Sequence, residues 1–455
     1  MEQNKMGIMP VNKLIINMSL PMIISMLVQA LYNIVDSVFV AMVNEQALTA
    51  VSVAFPAQNL LIAVATGTSV GVNALVSRSL GAKDFDRANK IAENGVFLAV
   101  LSYLVFLVFG LFGSGAFIAS QTDVVSIVEQ GTAYLRIVSG VSFGIFLEIT
   151  FERLLQSTGR TFYTMITQGV GAIFNIIFDP IFIFVFKLGV RGAAIATVLG
   201  QIVAAILAII FNIKKNPDIK LRVKGFRPDG KIIGSIYEIG LPSILMVAIG
   251  SVMTYCMNKI LVAYTTGKET AVTVFGAFFK LNSFICMPIF GLNNGIIPII
   301  AYNYGAQNKE RLIKAIKLST IYAGAFSIIG AATFICIPNV LLGFFSASDN
   351  MLAIGVPALR IIGTSFMFAG VCITLGASFQ ALGKSIFSMI VSIIRQLVVL
   401  TPAAFLLARY GLKIGNDNLV WFSYPIAEIF SLTVSILCFI YLYKTVISRI
   451  ESKKE

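Results

Sequence analysis

The chain has no histidine, and only 12% of its 455 residues are charged. The first absence excludes imidazole metal ligands and any Ser-His-Asp triad, so proton handling falls to carboxylates, tyrosines or water. The second excludes an ordinary soluble domain, where about a quarter of residues are charged. Five cysteines (Cys256, Cys286, Cys336, Cys372 and Cys438) stand singly, without the paired spacing of a disulfide framework or a zinc cluster, and read as packing residues. No metal site, nucleophile elbow or catalytic domain is visible, so an enzyme is not expected.

What is present is apolar: 57% of the residues are hydrophobic. Runs such as Leu98 to Ile118, Ile166 to Phe186 and Leu318 to Val340 are each long enough to cross a hydrocarbon layer of about 30 Å. The polar start, 1–13, leads into an apolar run with no small-residue cleavage site, which predicts a retained first helix. Twelve helices are expected, near 14–42, 48–80, 91–118, 125–155, 163–186, 191–213, 231–264, 270–304, 312–340, 351–381, 385–408 and 419–443.

Of 34 Lys and Arg residues, 24 fall on the side that carries both termini and five on the other, namely Lys187, Arg191, Lys268, Arg409 and Lys413. The positive-inside rule then predicts cytoplasmic termini in a bacterial inner membrane. The net charge of +13 is met by the anionic inner leaflet, so no nucleic-acid partner is implied.

The most polar stretch, 214–230, divides the chain into an N-lobe, 1–213, and a C-lobe, 231–455, and reads as a cytoplasmic linker. Three matches share an offset of 224 residues. Gly131 to Ile137 pairs with Gly355 to Ile361, Gln156 to Thr161 with Gln380 to Ser385, and Gly67, Gly71 and Gly81 with Gly291, Gly295 and Gly305. Six spans per repeat is an even number, so the lobes should be related by an axis along the membrane normal, as suits a transporter with a central cavity.

Acids inside a membrane cost about 2.5 to 3.5 kcal/mol on insertion scales, so each is a functional candidate. Asp36, Asp179 and Thr197 are expected roughly 9 to 11 Å below the surface opposite the termini, at ~1.5 Å per residue. Asn175 lies one helical turn before Asp179 on the same face. Two carboxylates a few ångströms apart cannot both stay ionised cheaply, so such a cluster could take up a proton or bind Na⁺. In the repeat, Asn258 and Thr401 stand opposite Asp36 and Asp179, so the second lobe lacks those acids.

Other positions invite two readings. Pro21 could bend the first helix or be a static kink, and Tyr32 and Tyr134 could join the polar cluster or anchor helices at an interface. Glu148 and Glu152 are expected to pair with Arg153 or water. Glu428 could line a substrate cavity or be structural, with Lys259, Lys280 or Arg395 as partner. The many Met and Phe residues suit an adaptable apolar cavity for greasy cations, although lipid-facing helices need them too. Gly383-Lys384-Ser385 resembles the end of a phosphate-binding loop but lacks its earlier glycine at Ser378 and falls in a helical hairpin.

Leu20-Pro21, Tyr32 to Asp36, the Gly67 to Asp84 region, and Asn175 to Pro180 followed by Arg191 to Thr197 together resemble the multidrug and toxic compound extrusion (MATE) family, across nearly the whole chain. The resemblance implies the MATE fold, twelve helices in two pseudo-symmetric lobes. It also implies a secondary antiporter that exchanges H⁺ or Na⁺ for amphiphilic, often cationic, drugs or dyes. It assigns cation coupling to Asp36, Asn175, Asp179 and Thr197, and a supporting or cavity role to Pro21, Tyr32 and Tyr134, and implies no cofactor beyond the coupling ion; Glu428 stays a cavity candidate on its position alone. Some members use acids in helices 7 and 10, but here helix 7 offers Asn258 and Lys259, and 355–380 holds no acid. That departure points to the proton-coupled or N-lobe-coupled branch, acting as a monomer in the lipid bilayer. A lipid-linked oligosaccharide flippase of the same superfamily is the alternative, although its cavity should carry several cations for a pyrophosphate. A sugar transporter of the major facilitator type fits less well, because Gly81 to Arg87 lacks its second loop glycine.

Overall fold

The computed structural model describes residues 4–222, 225–345 and 347–450; two residues of the predicted linker (223–224) and the outer ends of both predicted lobes (1–3 and 451–455) lie outside the described residues, as does 346. Among the described residues the chain is all helical. Eleven helices are long and apolar enough to cross a membrane, and a bent pair supplies a twelfth.

In the first half of the chain these are α1 (Val11–Val43), α2 (Glu45–Gly81), α3 (Phe85–Val108), α4 (Val125–Gly140 and Phe143–Ser157), α5 (Thr161–Pro180) and α6 (Val190–Lys215). The second half holds α7 (Gly230–Tyr264), α8 (Lys268–Gly305), α9 (Lys309–Cys336), α10 (Asp349–Ala381), α11 (Ser385–Ile393, continued as Thr401–Ile414) and α12 (Ser423–Leu442).

Several boundaries differ from those expected, each for a local reason. A short helix, Lys5–Ile8, precedes α1, with the Asn4 side chain accepting from the Met6 N–H at its start. The two parts of α4 meet at 44°, around Val141 and Ser142. The expected ninth helix stops early because Ile337 leaves the helical region ahead of Pro338, and a separate short helix, Pro338–Gly343, follows. The last span opens with a 3₁₀ turn, Asp417–Phe422, so α12 starts four residues later than read.

The sequence repeat reappears as matched turns. Asp84 caps α3 by accepting from Arg87 N–H at 3.0 Å, and Asn308, 224 residues on, caps α9 from Arg311 N–H at the same distance. Each cap follows a left-handed residue, Lys83 (φ 61°) or Gln307 (φ 56°). Gly159 and Gly383 likewise close equivalent hairpins at φ 85° and 75°, where glycine avoids the Cβ clash. The Gly383 turn confirms the hairpin reading of that segment: Lys384 N–H reaches back to Phe379 carbonyl at 2.8 Å.

The two halves of the chain converge near the face that carries both termini. A Cβ on Gly67 or Gly71 would strike Ile244 or Ile236 of α7, and one on Gly291 or Gly295 would strike Ile23 or Ser19 of α1. Ser19 also donates to the Leu292 carbonyl, and the Arg78 guanidinium lies 4.6 Å from the Tyr304 ring centre. Every glycine that meets the opposite half lies toward this terminal face, so the helices are packed tightest there.

Candidate cation-coupling site

Three helices, α1, α5 and α6, bring the predicted cluster together. Asp36 lies seven residues before the end of α1, and Thr197 seven residues after the start of α6. Asp179 is followed by Pro180 and a π-helical turn, Ile181–Val185, a geometry that recurs at functional sites. At ~1.5 Å per residue these positions share one depth, about 9 to 11 Å from the ends opposite the termini.

The polar contacts follow from that shared depth. The Asp36 and Asp179 carboxyls are close neighbours, each acting on the other's charge. With its amide turned to satisfy both ends, Asn175 donates to Asp179 Oδ2 at 2.7 Å and accepts from the Thr197 N–H at 3.1 Å. Asp179, Asn175 and Thr197 are 0%, 2% and 4% exposed. Asp36 Oδ1 is enclosed without a partner. Two acids, an amide and a hydroxyl residue in an apolar bundle are an arrangement whose charge balance would change if a proton or a small cation arrived.

The tyrosines join this cluster and the proline does not. Tyr32 sits one turn from Asp36, with Asp36, Glu148 and Asp179 as its charged neighbours. Tyr134 is buried and donates to Gln58 Oε1 at 3.2 Å. Pro21 lies 15 residues before Asp36, roughly 22 Å along the helix, inside an unbroken α1. Gln58 went unread in the sequence because nothing local marks it; its role depends on α2 packing beside α4.

Glu152 takes different partners from those expected. Thr167 Oγ1 and Gln168 Nε2, both on α5, donate to its two carboxylate oxygens at 2.6 and 2.7 Å. Arg153 instead donates to Gln156 at 2.8 Å and crosses to Asn294 of α8 at 2.9 Å. Successive helix residues point in different directions, so Glu152 and Arg153 face different neighbours. The polar spacing of Thr164, Thr167 and Gln168 on α5 was the available signal.

For Glu428, the structure selects Arg395 as partner, at 3.7 Å. Lys259 lies over the Tyr255 ring instead, at 5.7 Å. Thr401, the counterpart of Asp179 in the repeat, bonds within its own helix, to the Gln396 carbonyl at 2.8 Å. Among the described residues no group of three or more Cys, Asp or Glu side chains is placed to hold a metal ion.

Comparison with known proteins adds family membership. A sequence profile of the MatE family matches twice, at residues 21–181 and 242–406. The multidrug export protein MepA of Staphylococcus aureus (strain bovine RF122 / ET3-1) is 27% identical over 408 residues, 89% of each chain. MepA of Staphylococcus haemolyticus is 26% identical over 91% of this chain and 90% of its own. A solved structure described as the outward-facing conformation of a multidrug resistance MATE family transporter superposes with a TM-score of 0.90 at 25% identity, covering 99% of both chains. These relatives are named as exporters or transporters, not enzymes. The two profile matches cover most of the chain, which therefore belongs to the MatE family of multi-pass membrane transporters.

Proposed function

We propose that this chain is a secondary active multidrug exporter, in which H⁺ or Na⁺ entering at Asp36, Asn175, Asp179 and Thr197 drives an amphiphilic organic cation out. The observation that carries this reading is the neighbouring Asp36 and Asp179 carboxyls, tied through Asn175 to α6. Cation arrival removes the repulsion between the acids, and departure restores it, so occupancy biases the packing of α1 against α5 and α6. Pro21 supplies the point at which α1 bends in response.

The two six-helix lobes alternate access by opening and closing around the central cavity, and the tight terminal face corresponds to the state open on the other side. The excess of Lys and Arg on the terminal side supports cytoplasmic termini in a bacterial inner membrane, and because one lobe pair is enough for transport the proposed unit is a monomer. No cofactor beyond the coupling ion is required. Expression in cells stripped of their own exporters tests this: wild type should lower ethidium accumulation and Asp36→Asn should not. Equal accumulation with and without the wild-type chain would refute it and favour a lipid-linked oligosaccharide flippase.

A further inference from the structure

The second half of the chain contains an acid that the coupling site does not use. Glu428 is the sixth residue of α12, only ~8 Å from its start, and its carboxylate side chain is 9% exposed. Opposite it stands Arg395, carried on a π-helical turn, Ile394–Leu400, in the middle of α11. The extra residue in such a turn re-aims side chains, and these turns concentrate at functional sites.

This ion pair is incomplete. Arg395 Nη1 lies 3.7 Å from Glu428 Oε2, beyond ordinary hydrogen-bond length. Glu428 Oε1 and the Tyr424 and Ser431 hydroxyls, one turn before and one turn after, make no ordinary hydrogen bond, and the Cys372 thiol, a weak donor, lies against Glu428 and Ser431. Three under-satisfied polar groups therefore share one face of α12. A buried carboxylate held this loosely is costly unless something completes its coordination.

The surroundings define what would complete it. Tyr424, one turn before the acid, packs edge-on against Phe278 at 5.3 Å, which puts an aromatic pair one helical turn from Glu428. An acid near aromatic rings suits a flat or alkylated cation better than a small hydrated ion. Arg395 is the more accessible partner, 28% exposed against 9%. A cation that pairs with Glu428 would compete with this guanidinium for the same carboxylate.

We infer that Glu428 is a second cation-accepting site, for the ammonium or aromatic cation head of the transported molecule, with Arg395 as a tethered cation that occupies it between turnovers. The inference rests on the exporter reading above. It differs from a structural ion pair in sign: a structural partner strengthens the site, whereas a competing one weakens ligand binding.

Ethidium binding to the purified full-length protein in detergent, read by fluorescence anisotropy with thermal unfolding as a control, tests it. Glu428→Gln should weaken binding at least tenfold, and Arg395→Gln should tighten it several-fold. Wild-type affinity in Glu428→Gln, or unchanged or weaker binding in Arg395→Gln, overturns the inference. If Glu428→Gln does not fold, Arg395→Gln alone decides by the same criterion. A wild type that binds no ethidium refutes the exporter reading as well, whereas one that binds it while Glu428→Gln matches it refutes the second site alone.

Discussion

Asn175 joins two helices at the acid site: its amide nitrogen reaches Asp179 Oδ2 at 2.7 Å, and its oxygen takes the Thr197 N–H at 3.1 Å. A side chain that both donates and accepts is required, because a carboxylate cannot donate to Asp179 when ionised. Asn175→Asp adds a third acid and removes that donor. Dye efflux should fall at least tenfold with the protein still inserted, as judged by initial rates normalised to protein amount; a rate within twofold of wild type would remove Asn175 from the site.

Gly81 and Gly305 make a reciprocal contact at the terminal face. A Cβ on Gly81 would collide with the Tyr302 carbonyl, and one on Gly305 with the Arg78 carbonyl. Overpacking typically costs about 1 to 3 kcal/mol, and here the colliding atoms are backbone and cannot rotate away. Gly81→Val or Gly305→Val should hold the terminal face open. Thiol labelling of a cysteine placed at Ser79, which is buried, should then accelerate at least fivefold; unchanged labelling would show that the contact does not govern closure.

Arg153 makes a comparable bond between the halves, to Asn294 Oδ1 at 2.9 Å. A hydrogen bond to a charged group contributes about 1.5 to 3 kcal/mol, so Arg153→Ala should shift the same labelling equilibrium by about tenfold or more toward the open state. Arg153→Lys should recover only part of this, since its single ammonium cannot match the guanidinium geometry that also reaches Gln156 at 2.8 Å.

Glu152 provides a test of structural economy. Replacing it with Ala strands the Gln168 amide, which donates to it at 2.7 Å, and leaves the Thr167 hydroxyl, which donates to it at 2.6 Å, with only the Thr164 carbonyl at 2.8 Å. Leaving buried donors unmet costs about 1 to 3 kcal/mol, so the unfolding midpoint in detergent should drop by several degrees while efflux driven by the acid pair persists in the surviving protein. Loss of efflux without loss of stability would instead enlist Glu152 in coupling.

The degree to which this protein is legible from sequence follows the range of the interactions. Helix count, the Gly159 and Gly383 turns, and the common depth of Asp36, Asp179 and Thr197 depend on local spacing and could be read directly. Asn175 could be placed on the Asp179 face from the four-residue interval alone. The choice of Arg395 over Lys259 and Lys280 for Glu428 could not, because it depends on how α11 and α12 rotate against each other. The π-helical turns after Asp179 and before Thr401 insert a residue into otherwise regular helices, and a strict 3.6-residue pattern misassigns every face beyond them. Gln58 and the Glu152 partners are contacts across distant segments and leave no local mark.

The central claim is that the neighbouring carboxyls of Asp36 and Asp179 convert an ion gradient into export. Dye efflux from proteoliposomes, driven in turn by an imposed pH gradient and an imposed Na⁺ gradient, tests it most directly with Asp36→Asn and Asp179→Asn alongside wild type. The account predicts efflux under at least one gradient in the wild type and none above background in either variant. Full-rate, gradient-driven efflux by Asp36→Asn would contradict it.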